Sequence, residues 1–127
     1  MRVRTIAIVS RKGGAGKTTL ATHLAVAAEV AGLRAALFDL DPQASAALWA
    51  DHRGEPFPAV VPAQAPRLAG LLAQARDGGA DLVLIDTPPE ADGIASAAAA
   101  VADLTLIPCR PSALDLDAVA PAFGLRP

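Results

Sequence analysis

Apolar positions along the chain switch between two periods. Val3 to Val9 (VRTIAIV) is a β-branched run without helical spacing, the pattern of a strand buried in a parallel sheet. It leads straight into the Gly-rich stretch SRKGGAGKTTL at residues 10–20. Thr18 to Ala31 then carries Leu20, Leu24, Ala27, Ala28 and Ala31 at helical spacing, and Gly32 supplies a stop. Leu33 to Leu40 (LRAALFDL) predicts a second strand, ending in Asp39, Leu40, Asp41 and Pro42. A short helix is expected over Ala44 to His52, and one brief strand at Ala59 to Val61 inside a loop punctuated by Pro56, Pro58, Pro62 and Pro66. Arg67 to Arg76 is helical in pattern and closed by Gly78 and Gly79. Asp81 to Asp86 (DLVLID) is an apolar strand that ends on a carboxylate and is broken by Thr87, Pro88 and Pro89. Ile94 to Ala102 predicts a helix and Asp103 to Pro108 (DLTLIP) a fifth strand. The last segment starts as a helix near Asp115 and is interrupted by Pro121 and Gly124.

Strands alternating with helical stretches predict an α/β fold: a mostly parallel sheet of about five strands, covered on both faces, with ligands at the carboxyl ends of the strands. The Gly-rich loop and both acidic turns fall at those ends. With 127 residues, the chain is expected to form one domain over 1–127. Its apolar fraction is 53% with only 3% aromatic, and alanine is the commonest apolar residue, so the helices are expected to pack closely on small side chains. A net charge of −2 lacks the clustered basic excess of a nucleic-acid-binding domain. The single cysteine, Cys109, excludes an internal disulfide and any CxxC site and suits a reducing compartment; its expected place is as a small apolar side chain at a strand end. No apolar run reaches the roughly 18 residues that span a membrane. The N-terminal arginines precede no signal-peptide core and cleavage site, and a cytoplasmic location is the expectation.

The chemistry concentrates in four places. Gly13, Gly14, Ala15 and Gly16 are small enough for successive backbone N–H groups to converge on phosphate oxygens, next to a helix N-terminus that adds partial positive charge. Lys17 would neutralise the β and γ phosphates, Thr18 would offer its hydroxyl to Mg²⁺, and Thr19 is in reach of the α phosphate. The usual P-loop pattern, G-x-x-x-x-G-K-[ST], would place its first glycine at position 11, where Arg11 stands with Lys12 beside it. The rival dinucleotide fingerprint needs a third small residue at position 19, occupied by Thr19, and does without the lysine that follows Gly16. Asp86 ends a strand where a P-loop NTPase places its second acidic element. Asp39 and Asp41 end another, and strand alternation aims both the same way, a placement that favours a nearby cation. His23 and His52 read as surface or packing residues, Trp49 as a core or interface anchor, and Arg110 as a solvated side chain.

Together KGGAGKTT at residues 12–19, FDLDPQAS at 38–45, LVLIDTPP at 82–89 and LTLIPCRPSALDLDAV at 104–119 resemble the deviant-Walker-A ATPases of the ParA/MinD family. DPQAS followed by Trp49, with the PSALDLDA stretch, is most similar to the small ParA-type (ParF-like) partition ATPases. The resemblance implies a three-layer P-loop NTPase fold, ATP and Mg²⁺ as cofactors, and an ATP-dependent nucleotide-sandwich homodimer. It implies a ParB-like centromere-binding partner, slow ATP hydrolysis and a role in plasmid or chromosome segregation. Residue by residue, Lys12 would reach across the dimer to the partner's phosphates, in the manner of an arginine finger. Lys17 would stay with the bound phosphates, Asp41 would orient the attacking water, Asp39 would support Mg²⁺ through water, and Asp86 would be the Walker B carboxylate. The segment Thr87 to Asp92 would sense the γ phosphate.

Family members continue past the PSALDL element with further strands, an adenine-contacting loop and C-terminal helices, so this chain is expected to be a C-terminally truncated domain: a truncated gene product, a fragment or a minimal domain. Non-specific DNA binding, attributed in the family to later basic surface, would be weakened, nucleoid association would follow only where it is kept, and one sheet edge would lie open. Two other readings stand beside segregation. One is a nucleotide-binding or interaction module without hydrolysis. The other is a related ATPase serving a different client, such as cell-division positioning or polysaccharide synthesis. One cysteine disfavours metal-cluster insertion, and no membrane-binding helix of the MinD kind is in view.

Overall fold

The computed structural model describes residues 3–9, 17–89 and 92–108. Among them five strands form one sheet in the order β3-β2-β4-β1-β5, and every neighbouring pair is parallel. The strands are β1 (Arg4–Ile8), β2 (Ala35–Asp39), β3 (Ala59–Pro62), β4 (Leu82–Asp86) and β5 (Leu104–Leu106). The helices are α1 (Lys17–Val30), α2 (Ser45–Arg53), α3 (Leu68–Asp77) and α4 (Asp92–Val101), with a short 3₁₀ turn at Ala65–Arg67 leading into α3.

The two-residue period of the strands divides the core. Ala7, Ala36, Phe38, Val83 and Ile85 face a cluster that includes Leu68 of α3 and Ala98 of α4. Ile8, Ala35, Leu37 and Leu84 face the other way, onto Ala21, Ala25 and Ala28 of α1 and Ala46 of α2. The result is three layers, with α1 and α2 on one face and α3 and α4 on the other. Ala21, Ala25 and Ala28 form the buried stripe of α1, spaced at i, i+4 and i+7. Thr22, also buried, returns its hydroxyl to the carbonyls of Thr18 at 3.0 Å and Thr19 at 3.1 Å, so no polar group is stranded under the helix.

Two helices end in the same device. Gly32 and Gly79 hold φ of 90° and 89°; Leu33 N–H reaches back to the Ala28 carbonyl at 2.9 Å, and Ala80 N–H to that of Ala75 at 2.9 Å. These are Schellman caps, which need a left-handed residue. The first explains why β2 starts at Ala35 and not at Leu33: Leu33 is spent on capping α1. At the β5 edge of the sheet, Asp103 accepts Thr5 N–H on Oδ2 at 2.8 Å and donates its own N–H to the Thr5 carbonyl at 2.8 Å, and β5 begins only at Leu104. The expected frayed helix after Asp115, together with Cys109 and Arg110, lies outside the described residues.

Candidate functional site at the strand ends

The two central neighbours β1 and β4 send their connections to opposite faces: the chain leaves β1 for α1 on one side and β4 for α4 on the other. A crevice between diverging connections is where open α/β sheets bind ligands. Strand register brings the chemistry to one level there, because Asp86 is the Cα partner of both Ile8 and Asp39. By alternation, Asp39 follows Leu37 and Asp86 follows Leu84 onto the α1/α2 face of the sheet.

Backbone and hydroxyl bonds lock these exits together. Leu40 N–H donates to the Asp86 carbonyl at 2.8 Å. Thr87 is buried and donates to the Ile8 carbonyl through its N–H at 3.2 Å and its hydroxyl at 2.9 Å, so the exit of β4 is pinned to the point where β1 enters the Gly-rich stretch. Thr18, in the first turn of α1, donates its hydroxyl to Asp86 Oδ2 at 2.9 Å. Asp86 is 0% exposed. A fully buried carboxylate at the positive end of a helix, beside a hydroxyl, is an all-oxygen donor set suited to a hard cation. Among the described residues no group of three or more His, Cys, Asp or Glu side chains is arranged to hold a metal ion by itself. Mg²⁺ fits such a place, because it keeps several waters and takes few protein ligands.

Asp39 is organised differently. It is 2% exposed, and both of its oxygens are occupied by backbone N–H groups: Oδ1 by Asp41 at 3.1 Å, Oδ2 by Ala46 at 3.1 Å and Ala47 at 3.3 Å. Ala46 and Ala47 are the second and third residues of α2, whose preceding residue, Ala44, sits at φ 54° and has no side-chain acceptor. Asp39 therefore does for α2 what an N-cap residue ordinarily does. Burial is the largest influence on its carboxyl and raises it above the ordinary 3.8; the N–H groups of Asp41, Ala47 and Ala46 pull it down and the Asp86 charge pushes it up. The capping duty was missed in the sequence, where the signal was the lack of a good N-cap residue before Ser45.

Asp41 is half-buried just past β2, and its Oδ1 accepts Gln43 N–H at 2.9 Å in an Asx turn. Among the described residues its Oδ2 has no protein partner. A cleft of about 750 Å³ opens beside it, lined by Asp41, Pro42, Val61, Gln64 and Arg67 among others.

The comparisons with known proteins fit this geometry. A family model described as the CobQ/CobB/MinD/ParA nucleotide binding domain matches residues 6–107. The chain belongs to that family. Maintenance of carboxysome distribution protein A of Gloeobacter kilaueensis is 45% identical over 116 residues, 89% of this chain and 52% of that protein. The chromosome-partitioning ATPase Soj of Thermus thermophilus is 34% identical over 149 residues, covering 94% of this chain and 59% of that protein. The solved structure of apo McdA from Cyanothece superposes with a TM-score of 0.78 at 20% identity, over 97% of this chain and 64% of that one. The ParA/MinD-type chain thus spans about half the length of the curated relatives it matches.

Within this ParA/MinD-type domain the structure gathers Thr18, Asp39, Asp41 and Asp86 at adjoining strand ends and places Thr19 exposed on α1. Lys17 opens α1. Lys12, Gly13, Gly14, Ala15 and Gly16 lie outside the described residues, as does the PSALDLDA stretch. His23 and His52 are exposed, and Trp49 is half-buried with the Arg53 guanidinium 5.5 Å from its ring centroid. No helix among the described residues is long and apolar enough to cross a membrane.

Proposed function

We propose that this chain is the catalytic portion of a Mg²⁺-dependent ATPase that dimerises around ATP and drives the segregation or positioning of a cellular cargo in the cytoplasm. The observation that carries the reading is the Thr18 hydroxyl on the buried Asp86 carboxylate, at the level where β1 enters the Gly-rich stretch. Backbone N–H groups of Gly13, Gly14, Ala15 and Gly16 cradle the phosphates, Lys17 neutralises β and γ oxygens, and Thr19 contacts the α phosphate. Thr18 and Asp86 would hold Mg²⁺, which when bound neutralises charge on the β and γ oxygens. Asp41, whose Oδ2 has no protein partner among the described residues, orients the attacking water. Lys12 reaches the partner subunit's phosphates and stabilises charge that develops on the transferring group.

Similarity to a chromosome-partitioning ATPase supports a DNA client served through a ParB-like adaptor, with non-specific DNA as the track. The higher identity to a carboxysome-distribution protein supports a second reading, a protein-cargo client moved by the same cycle. ATP turnover by the purified chain tests the common core of both. Hydrolysis lost or strongly reduced in Lys12→Ala, Lys17→Ala and Asp41→Ala is the expected result; turnover unchanged in all three overturns the assignments. Co-purification with a DNA-bound adaptor or with a protein cargo then separates the clients.

A further inference from the structure

We propose that Asp39 is a positioning residue: its carboxylate clamps the Asp41 turn and the first turn of α2 into one unit, and so sets where Asp41 stands against the bound nucleotide. This rests on the ATPase reading above and adds to it a task for Asp39 that no magnesium shell requires. The observations are geometric. Three backbone N–H groups, from Asp41, Ala46 and Ala47, converge on one buried side chain that lies two, seven and eight residues before them. The Ala44 N–H closes the same turn on the Asp41 carbonyl at 2.8 Å, and Gln43 N–H closes it on Asp41 Oδ1. The turn has little else to hold it: Pro42 has no N–H, Pro42 and Gln43 are exposed, and Ala44 sits in a left-handed conformation that costs an alanine energy unless its surroundings impose it. Asp39 is what imposes it, because charge-assisted bonds to the α2 N-terminus are stronger than neutral ones and complement the helix dipole.

The two neighbouring carboxylates therefore divide the work. Asp86 takes the Thr18 hydroxyl, and Asp39 orders the chain that carries Asp41. A residue acting this way changes the placement of the attacking water and leaves ground-state nucleotide contacts intact, so its loss lowers kcat more than it raises KM.

Two readouts on Asp39→Ala and Asp39→Asn decide the matter. In nucleotide-free protein the amide protons of Asp41, Ala46 and Ala47 are followed by NMR hydrogen exchange. In the alanine variant all three are expected to exchange about tenfold faster or more, since each loses a bond to a charged acceptor. Asparagine has one acceptor oxygen, so it keeps either the Asp41 bond or the α2 pair and speeds exchange at the other. In turnover, kcat is expected to fall about tenfold or more, while KM for ATP and the Mg²⁺ concentration for half-maximal rate stay within about twofold. Unchanged exchange at all three amides overturns the proposal, as does a kcat restored by excess Mg²⁺, the mark of a metal-shell residue. Should the alanine variant fail to fold, the asparagine variant reports on the same amides. A wild-type chain without turnover would count against the ATPase reading, and the exchange readout would still decide the clamp.

Discussion

At the scale of single residues, the informative contrast is between Asp39 and Asp86, Cα partners on adjacent strands. Both are buried, yet one is surrounded by backbone N–H groups and the other by a hydroxyl at a helix start. Burial raises the Asp39 carboxyl above 3.8, and the neighbouring Asp86 charge adds to it. The folded state therefore holds this proton more tightly than the unfolded chain does. The stability linked to it is fully present below pH 3.8 and is lost as pH rises through the raised folded value. A ¹³C NMR titration of the Asp39 carboxyl in metal-free protein is expected to show a midpoint above 3.8; a midpoint at or below it would mean that the backbone N–H groups outweigh burial. The sequence revealed that an acidic residue stood at the end of each of these two strands. It did not reveal that Asp39 caps α2, because the cap comes from seven residues before the amide it serves and depends on β2 and α2 meeting in space.

At the scale of elements, small side chains set the spacing. Ala21, Ala25 and Ala28 bring α1 close to Ile8, Leu37 and Leu84, as the abundance of alanine suggested. Enlarging the fully buried Ala25 to leucine leaves no room for the side chain and is expected to cost about 1–3 kcal/mol, read as a lowered denaturant midpoint at unchanged slope. At Gly32 the reason is conformational. A Cβ there meets nothing within 4 Å, but φ of 90° penalises it, and Gly32→Ala is expected to destabilise by about 1–2 kcal/mol. The order and type of every described strand and α-helix were legible, because the apolar period changes at each boundary and Gly or Pro marks most of them; the 3₁₀ turn Ala65–Arg67 fell in a stretch that read as loop. The boundaries shifted where a tertiary bond decided them: Leu33 belongs to the α1 cap, and Asp103 is tied to Thr5. β3 runs on to Pro62, which sits at the sheet edge and has no N–H to offer a further strand.

At the scale of the whole molecule, the site is a product of topology. β1, β2 and β4 are scattered along the chain and become neighbours only in the sheet, so the meeting of residues 8, 18, 39 and 86 could be expected from family motifs but not from any local pattern. Dimerisation carries the proposal for Lys12. Mixing Lys12→Ala with Asp41→Ala chains is expected to recover part of the lost turnover, because a mixed dimer contains one site with an intact Asp41 facing an intact Lys12. Turnover no greater than the sum of the two variants alone would place Lys12 in its own subunit's site. The central claim, that the Thr18–Asp86 pair at the exits of β1 and β4 forms the Mg²⁺–nucleotide site, is tested most directly by calorimetric titration of ATP with and without Mg²⁺. The measurement is made on the wild-type chain and on Thr18→Ala and Asp86→Asn. Mg²⁺ is expected to tighten ATP binding to the wild type, and the tightening is expected to be largely lost in both variants; an equal Mg²⁺ effect in all three proteins would contradict the account.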